Sequence, residues 1–513
     1  MFLQSELVNP NVNVSIILPE IIVAVAGIVV MLYDTFFPKQ RTVTGIISLV
    51  GLVLSGIVLH SMWSDNSGYA NAWNGMVSND NLRIGFSFVF LFVSALTILI
   101  STVWTEREDV PIGEYHCLLL FATVGMMFMA SGNDLVVIFL GLETSSIATY
   151  VMAGLRRTDL RSNESSMKYF ILGSFASAFL LYGMALIYGA TGTTNITEIA
   201  ATVGNPNFPA LLLIGGAMLI VGFGFKVATV PFHVWTPDVY EGAPTPITAF
   251  MAAGPKTAAF ASFVRIFVIG FPLIAGAQAS GYLHESWITA LSVMGMLTMT
   301  VGNIAAIVQN NVKRMLAYSS IAHAGYALVG FIGAGMAKDV ASRDAAIASV
   351  AFYMLTYAVT NLGAFAIVTL LAQRNDRRTD FEDYNGIGFK TPVLAFSLSL
   401  FMLSLLGLPL TAGFMGKVLV FRPALEAGDS LLTLLVVVAV VNTAISAYYY
   451  LRLIVVMFFR ERTDEWSAPR IPTALAAVLV ITIAGVFYFG IFSDGVIERF
   501  SQSPAAITVK AEK

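Results

Sequence analysis

Apolar runs of about 17 residues or more, long enough to cross a bilayer as a helix, recur along the whole chain with short polar breaks between them. They fall at 16–37, 43–63, 84–104, 115–132, 133–154, 167–190, 208–230, 245–270, 286–308, 316–335, 347–372, 391–421, 431–458 and 472–492. The pattern predicts 14 transmembrane helices, the fourth and fifth separated only by Gly132, Asn133 and Asp134. Two runs are interrupted. The seventh is broken by Pro231 and continues to Pro237 and beyond, to about 240. The twelfth reads LLGLPLTAGFMGKVLV, with Gly407, Pro409, Gly413 and Gly416 inside it. Interrupted segments at matching places in two halves point to internal repeats. Helices 4–8 and 9–13 form the two units, and an odd number of helices per unit inverts the second relative to the first. The expected fold is an all-α polytopic membrane protein with two inverted five-helix repeats, each carrying a discontinuous helix.

Composition agrees. Of 513 residues 57% are hydrophobic and 12% charged, with a mean hydropathy of +0.79. A soluble domain carries about 25% charged residues. The chain is expected to be a single membrane domain, 1–513, made of three N-terminal helices (1–114), a first repeat (115–270), a second repeat (286–458) and a last helix (472–492). The start lacks the basic residues of a secretion signal, so the N-terminus is expected to be retained. Sixteen of the 28 Lys and Arg residues fall in loops after odd-numbered helices, and six, including Lys338, Lys510 and Lys513, fall on the other side. Positive charge gathers on the cytoplasmic face, which predicts both termini outside.

Several classes are excluded or disfavoured. The net charge of −3 and the lack of basic runs argue against nucleic-acid binding. One cysteine, Cys117, allows no internal disulfide and no cysteine-ligated cluster held by this chain alone. The five histidines have no metal-ligand spacing, and neither common nucleotide-binding glycine loop is present.

Against that background the ionisable residues inside the apolar runs stand out. A charge at the bilayer centre costs roughly 3 kcal/mol on insertion scales, so burying three lysines and a glutamate costs about 10 kcal/mol in sum. Packing gives no return on that, whereas a transmembrane proton relay does. Glu143 lies midway along the fifth run, in IFLGLETSSIATY. Either a neighbouring hydroxyl such as Ser145 satisfies it or it pairs with Lys226. Lys226 precedes Pro231 by five residues, and the proline is expected to open the backbone there and free carbonyls that hold water. Lys256 follows Pro255 near the middle of the eighth run, and Arg265 further along is open to a structural or a functional reading. His323, in KRMLAYSSIAHAGY, has the one side chain that exchanges its proton near neutral pH, though Ser319 and Ser320 could relay through water instead. Lys417 repeats the setting of Lys226, and its nearest acid, Glu426, falls at the outer end of the run. The rival reading is a scaffold whose buried charges only pair.

The stretch KVATVPFHVWTPDVYEGAPTP at 226–246, with Lys256 ten residues beyond, resembles the signature of the proton-translocating membrane subunits of respiratory complex I and of the related multisubunit cation/proton antiporters. The resemblance covers essentially the whole chain. It implies two antiporter-like half-channels in which Glu143 couples to the neighbouring unit, Lys226 pumps, Lys256 and His323 form the central relay, and Lys417 is the exit lysine. Flavin, iron–sulfur clusters, NADH oxidation and quinone chemistry would belong to partner subunits, with no cofactor or metal in this chain. Its partners would be other complex I membrane subunits, neighbouring antiporter-like subunits among them, and lipids, in a bacterial cytoplasmic membrane. Lys417 at the exit position and the short stretch after the last helix favour the respiratory complex. A cation/proton antiporter subunit is the alternative.

Overall fold

The computed structural model describes residues 12–38, 40–64, 72–273, 278–462 and 469–501. Lys39, Lys510 and Lys513, which entered the charge count, lie outside them. Among the described residues the secondary structure is helical. Thirteen helices are long and apolar enough to cross a membrane, and a fourteenth crossing is made of two halves. The uninterrupted spans are, in order, Leu18–Phe36, Arg41–Ser64, Asn81–Glu108, Ile112–Ser131, Leu135–Ala153 and Leu160–Thr191 as the first six. Thr245–Phe263, Gln278–Ile307, Val312–Gly335 and Val340–Leu371 are the eighth to eleventh, and Ser430–Phe459 and Thr473–Ile491 the last two.

Several helices run past their apolar stretch. The third begins at Asn81, the sixth at Leu160 and the eleventh at Val340, each after an aspartate whose carboxylate accepts a backbone N–H of the first turn: Asp80 from Arg83, Asp159 from Arg161, Asp339 from Ser342. Such caps satisfy orphan amides and set the start of the helix in a polar stretch before the apolar run, where hydropathy gives no signal.

The two discontinuous crossings are the seventh and the twelfth. The seventh runs Pro209–Val227, breaks, and resumes as Thr236–Gly242. The break comes before Pro231, not at it. Ala228 turns left-handed at φ 62°, and the amides of Ala228 and Thr229 fold back onto Phe225 O and Gly224 O. Thr229 Oγ1 and Trp235 Nε1 also donate to these two carbonyls, which lie further back than Val227 O, the one four residues before Pro231. The twelfth crossing is Pro392–Leu406 followed by Ala412–Glu426. Each half is roughly 22 Å long at about 1.5 Å per residue, short of a hydrocarbon layer about 30 Å thick. Gly407 makes the turn at φ 97°, a conformation that costs other residues about 1–2 kcal/mol.

The eighth, tenth and eleventh spans are buried along most of their length, while the first, second, thirteenth and fourteenth are largely exposed. The central helices carry many small residues, as in TPITAFMAAGPKTAAFASF, which let backbones approach closely. This centre holds the ionisable groups.

Candidate functional site: buried lysines without carboxylate partners

Lys226 ends the first half of the seventh crossing and is 9% exposed. Its Nζ donates to Ser146 Oγ at 2.5 Å and to Tyr150 OH at 3.3 Å, and lies over the Tyr150 and Tyr169 rings at 5.3 and 5.9 Å. Ser146 and Tyr150 share the face of the fifth span that carries Glu143, three and seven residues on. The expected direct pairing of Glu143 with Lys226 is not made. The half-buried carboxylate accepts instead from Ser177 Oγ of the sixth span at 2.5 Å, and Ser145 Oγ does not reach it. Acid and amine each take a different serine.

Lys256, 2% exposed, sends Nζ across to the tenth span, where Ser320 receives it with its carbonyl at 2.9 Å and its hydroxyl at 2.6 Å. His323 is one turn further along that helix and 5% exposed. Its Nδ1 shares a hydrogen bond with Tyr353 OH at 2.6 Å and its Nε2 with Tyr450 OH at 3.2 Å, and Tyr450 OH also meets Ser319 Oγ at 2.5 Å. The serines weighed as alternatives to His323 thus sit beside it in one cluster. The seventh crossing approaches the same place: Tyr169 stacks on Trp235 at 4.4 Å, Trp235 meets Tyr240 edge-on at 6.1 Å, and the Tyr240 hydroxyl lies beside Ser320.

Lys417, 5% exposed, lies against the other break. Nζ donates to Leu405 O at 3.1 Å and Leu406 O at 2.8 Å, the last carbonyls of the preceding half-helix. A cation there meets the negative end of the helix dipole. The Tyr326 ring covers it at 4.8 Å. Glu426 is exposed and bonded to Arg422, away from Lys417.

The structure separates these lysines from the other buried cations. Arg83 is paired with Glu20 at 2.8 Å and Arg265 with Asp80 at 2.7 Å, so Arg265 takes its structural reading. Lys313 and Arg156 lie 3.2 and 3.4 Å from Asp376. Among the described residues no carboxylate lies within ion-pair distance of Lys226, Lys256 or Lys417. Their contacts are hydroxyls, carbonyls and ring faces, which take an ammonium's hydrogen bonds or lie against it without supplying an opposite full charge. Outside the membrane-spanning segments, burial would push the Asp376 carboxyl up, but Lys313, Arg156 and Arg107 outweigh it and hold the group below its usual range. Asp80 is held down in the same way, Arg265 overcoming burial.

Of the hydroxyl partners only Ser320 was singled out from the sequence, although Ser146, Tyr150 and Tyr326 also lie in the quoted motifs. Helical spacing from Glu143 and His323 would have found them. Tyr353 and Tyr450, from the eleventh and thirteenth spans, have no local signal. Neither has Asp376.

The family model described as "NADH:quinone oxidoreductase/Mrp antiporter, TM" matches residues 132–486. The chain belongs to that family. The oxidoreductase/antiporter relatives include "NADH-quinone oxidoreductase subunit N" of Trichlorobacter lovleyi, 43% identical over 96% of this chain and 97% of that protein. "NADH-quinone oxidoreductase subunit N 1" of Solibacter usitatus is 42% identical over 95% of this chain and 96% of its own length. Among solved structures, a chain of respiratory complex I from Thermus thermophilus with bound aureothin is 34% identical, covers 94% of this chain and 99% of its own length, and superposes with a TM-score of 0.76. A chain of the Mrp complex of a Dietzia species shares the fold at a TM-score of 0.80 with 19% identity, over 95% of this chain and 96% of its own.

Proposed function

We propose that this chain is the subunit N of a proton-translocating NADH:quinone oxidoreductase and moves protons across the membrane through Glu143, Lys226, Lys256, His323 and Lys417. The observation that carries the reading is the absence of carboxylate contacts at three lysines buried beside or between two helix breaks. A scaffold would pair them, as this fold pairs Arg83, Arg265 and Lys313. The 43% identity to a named subunit N over 96% of this chain favours the oxidoreductase over a cation/proton antiporter.

In this mechanism a proton reaching the first repeat is held by Lys226 among Ser146, Tyr150 and Tyr169. It passes to Lys256 and His323 around Ser320, and then to Lys417 at the second break. Glu143, with its carboxylate one turn from Ser146, biases Lys226 from the flank that meets the neighbouring subunit. Electron transfer takes place elsewhere: one cysteine in 513 residues cannot hold a cluster alone, and flavin, iron–sulfur and quinone chemistry is assigned to partner subunits. The charge asymmetry of the loops supports a cytoplasmic membrane with both termini outside.

The test is Lys226→Ala in the purified complex reconstituted into vesicles, with proton uptake measured per electron pair. The relay reading expects an assembled complex whose pumping is lost. Undiminished pumping per electron rejects it, and a complex that fails to assemble returns the scaffold reading.

A further inference from the structure

Lys417 has no counter-ion, yet something must make its protonated form tolerable. The two carbonyls at the helix break supply part of this. The face of Tyr326 covers it at 4.8 Å, with His323 near enough to interact electrostatically, and a ring face attracts an ammonium and not a neutral amine. That ring does not float. The Tyr326 hydroxyl accepts from Asn303 Nδ2 at 3.1 Å, Asn303 Nδ2 also donates to Met299 O at 2.8 Å, and Asn303 Oδ1 accepts from Tyr449 OH at 2.8 Å. All three side chains are buried. The ninth and thirteenth spans, which contribute none of the five ionisable groups, therefore fix the ring that lies over the lysine.

We infer that Tyr326 is a positioning residue that sets how readily Lys417 holds its proton, and that Asn303 and Tyr449 lock its ring in place for that purpose. This rests on Lys417 being a proton carrier. The face, not the hydroxyl, meets the ammonium; the hydroxyl accepts from the Asn303 amide and has Thr443 as its other hydrogen-bond partner. Tyr326 thus acts through its π-electrons.

The experiment uses the reconstituted complex and reads the rate of proton translocation alongside quinone reduction. Tyr326→Leu removes the ring face and lowers pumping by roughly two- to thirtyfold, the range from an exposed to a desolvated ring–cation contact. Tyr326→Phe keeps the face and retains most of the pumping. If the Leu variant does not assemble, a series of mono-, di- and trifluorinated phenylalanines at 326 holds the shape while draining the ring face, and pumping falls step by step. A flat fluorine series, or Phe as damaging as Leu, overturns the inference. Lys417→Ala is the control: if it pumps normally the relay itself is wrong, whereas loss there with an unaffected Tyr326→Leu removes only the role given to the ring.

Discussion

At Lys256 both oxygens of one residue do the holding. Ser320 offers its carbonyl at 2.9 Å and its hydroxyl at 2.6 Å, and His323 follows one turn on. A hydrogen bond to a charged group contributes about 1.5–3 kcal/mol, so removing the hydroxyl weakens the protonated state roughly tenfold or more. Ser320→Ala is expected to assemble and reduce quinone while its pumping rate falls by about that factor, and Ser320→Thr should restore it; equal pumping by Ala and wild type would take the hydroxyl out of the relay. At this scale the sequence showed which groups are expensive but not what they touch. Glu143 and Lys226 are an obvious pair on paper. In the fold Ser177, from a third helix, claims the acid, and Ser146 claims the amine. Which of several short polar side chains intervenes depends on how three helices meet, and no single segment encodes that.

Helix interruptions were legible in place and only partly in cause. Pro231 marked the seventh break, yet the chain has already left the helix at Ala228, and the proline lies beyond the turn. In the twelfth, Gly407 provides the left-handed turn and Gly413 the close return. A Cβ added at Gly413 would stand 1.8 Å from Ser404 O, where nothing can yield without moving backbone. Gly413→Ala is therefore expected to displace the second half-helix, and with it Lys417. The measurable result is loss of the subunit from the complex on native gels or at least a several-fold fall in pumping. Gly495→Ala, with open space around it, is the matched control. A fully active Gly413→Ala would mean the two halves are not packed as described. Hydropathy put two helix starts at 84 and 347, inside the true starts at Asn81 and Val340, which Asp80 and Asp339 mark by capping, a local chemistry.

Over the whole molecule one acid ties the parts together. Asp376 lies in a turn after the eleventh span, among the residues whose basic neighbours first served only to orient the chain. It is buried against Arg107 of the third span (3.6 Å), Arg156 after the fifth (3.4 Å), Lys313 of the tenth (3.2 Å) and the first amide of the eighth, Thr245 N, at 3.1 Å. Several cations assigned to loops by charge counting are thus internal, because a loop that folds back under the helices is indistinguishable in sequence from one in water. Gln373, Asn375 and Asp376 all have positive φ, which costs about 1–2 kcal/mol per residue and persists only where surrounding contacts dictate it. Asp376→Asn leaves buried cations unmatched, at a cost of about 3–5 kcal/mol. The expected result is a lower thermal midpoint and detachment of the three N-terminal helices from the repeats under mild protease. The pH dependence has a definite sign. A carboxyl held below its unfolded value of about 3.9 contributes its full stabilisation above that pH and loses it as pH falls through the folded value. The gap in midpoint between wild type and Asp376→Asn should therefore not narrow between about pH 7 and pH 5 and should close only in stronger acid, below about 4. A gap that narrows between pH 7 and 5 would show a carboxyl already taking up protons, and so one not held by these cations.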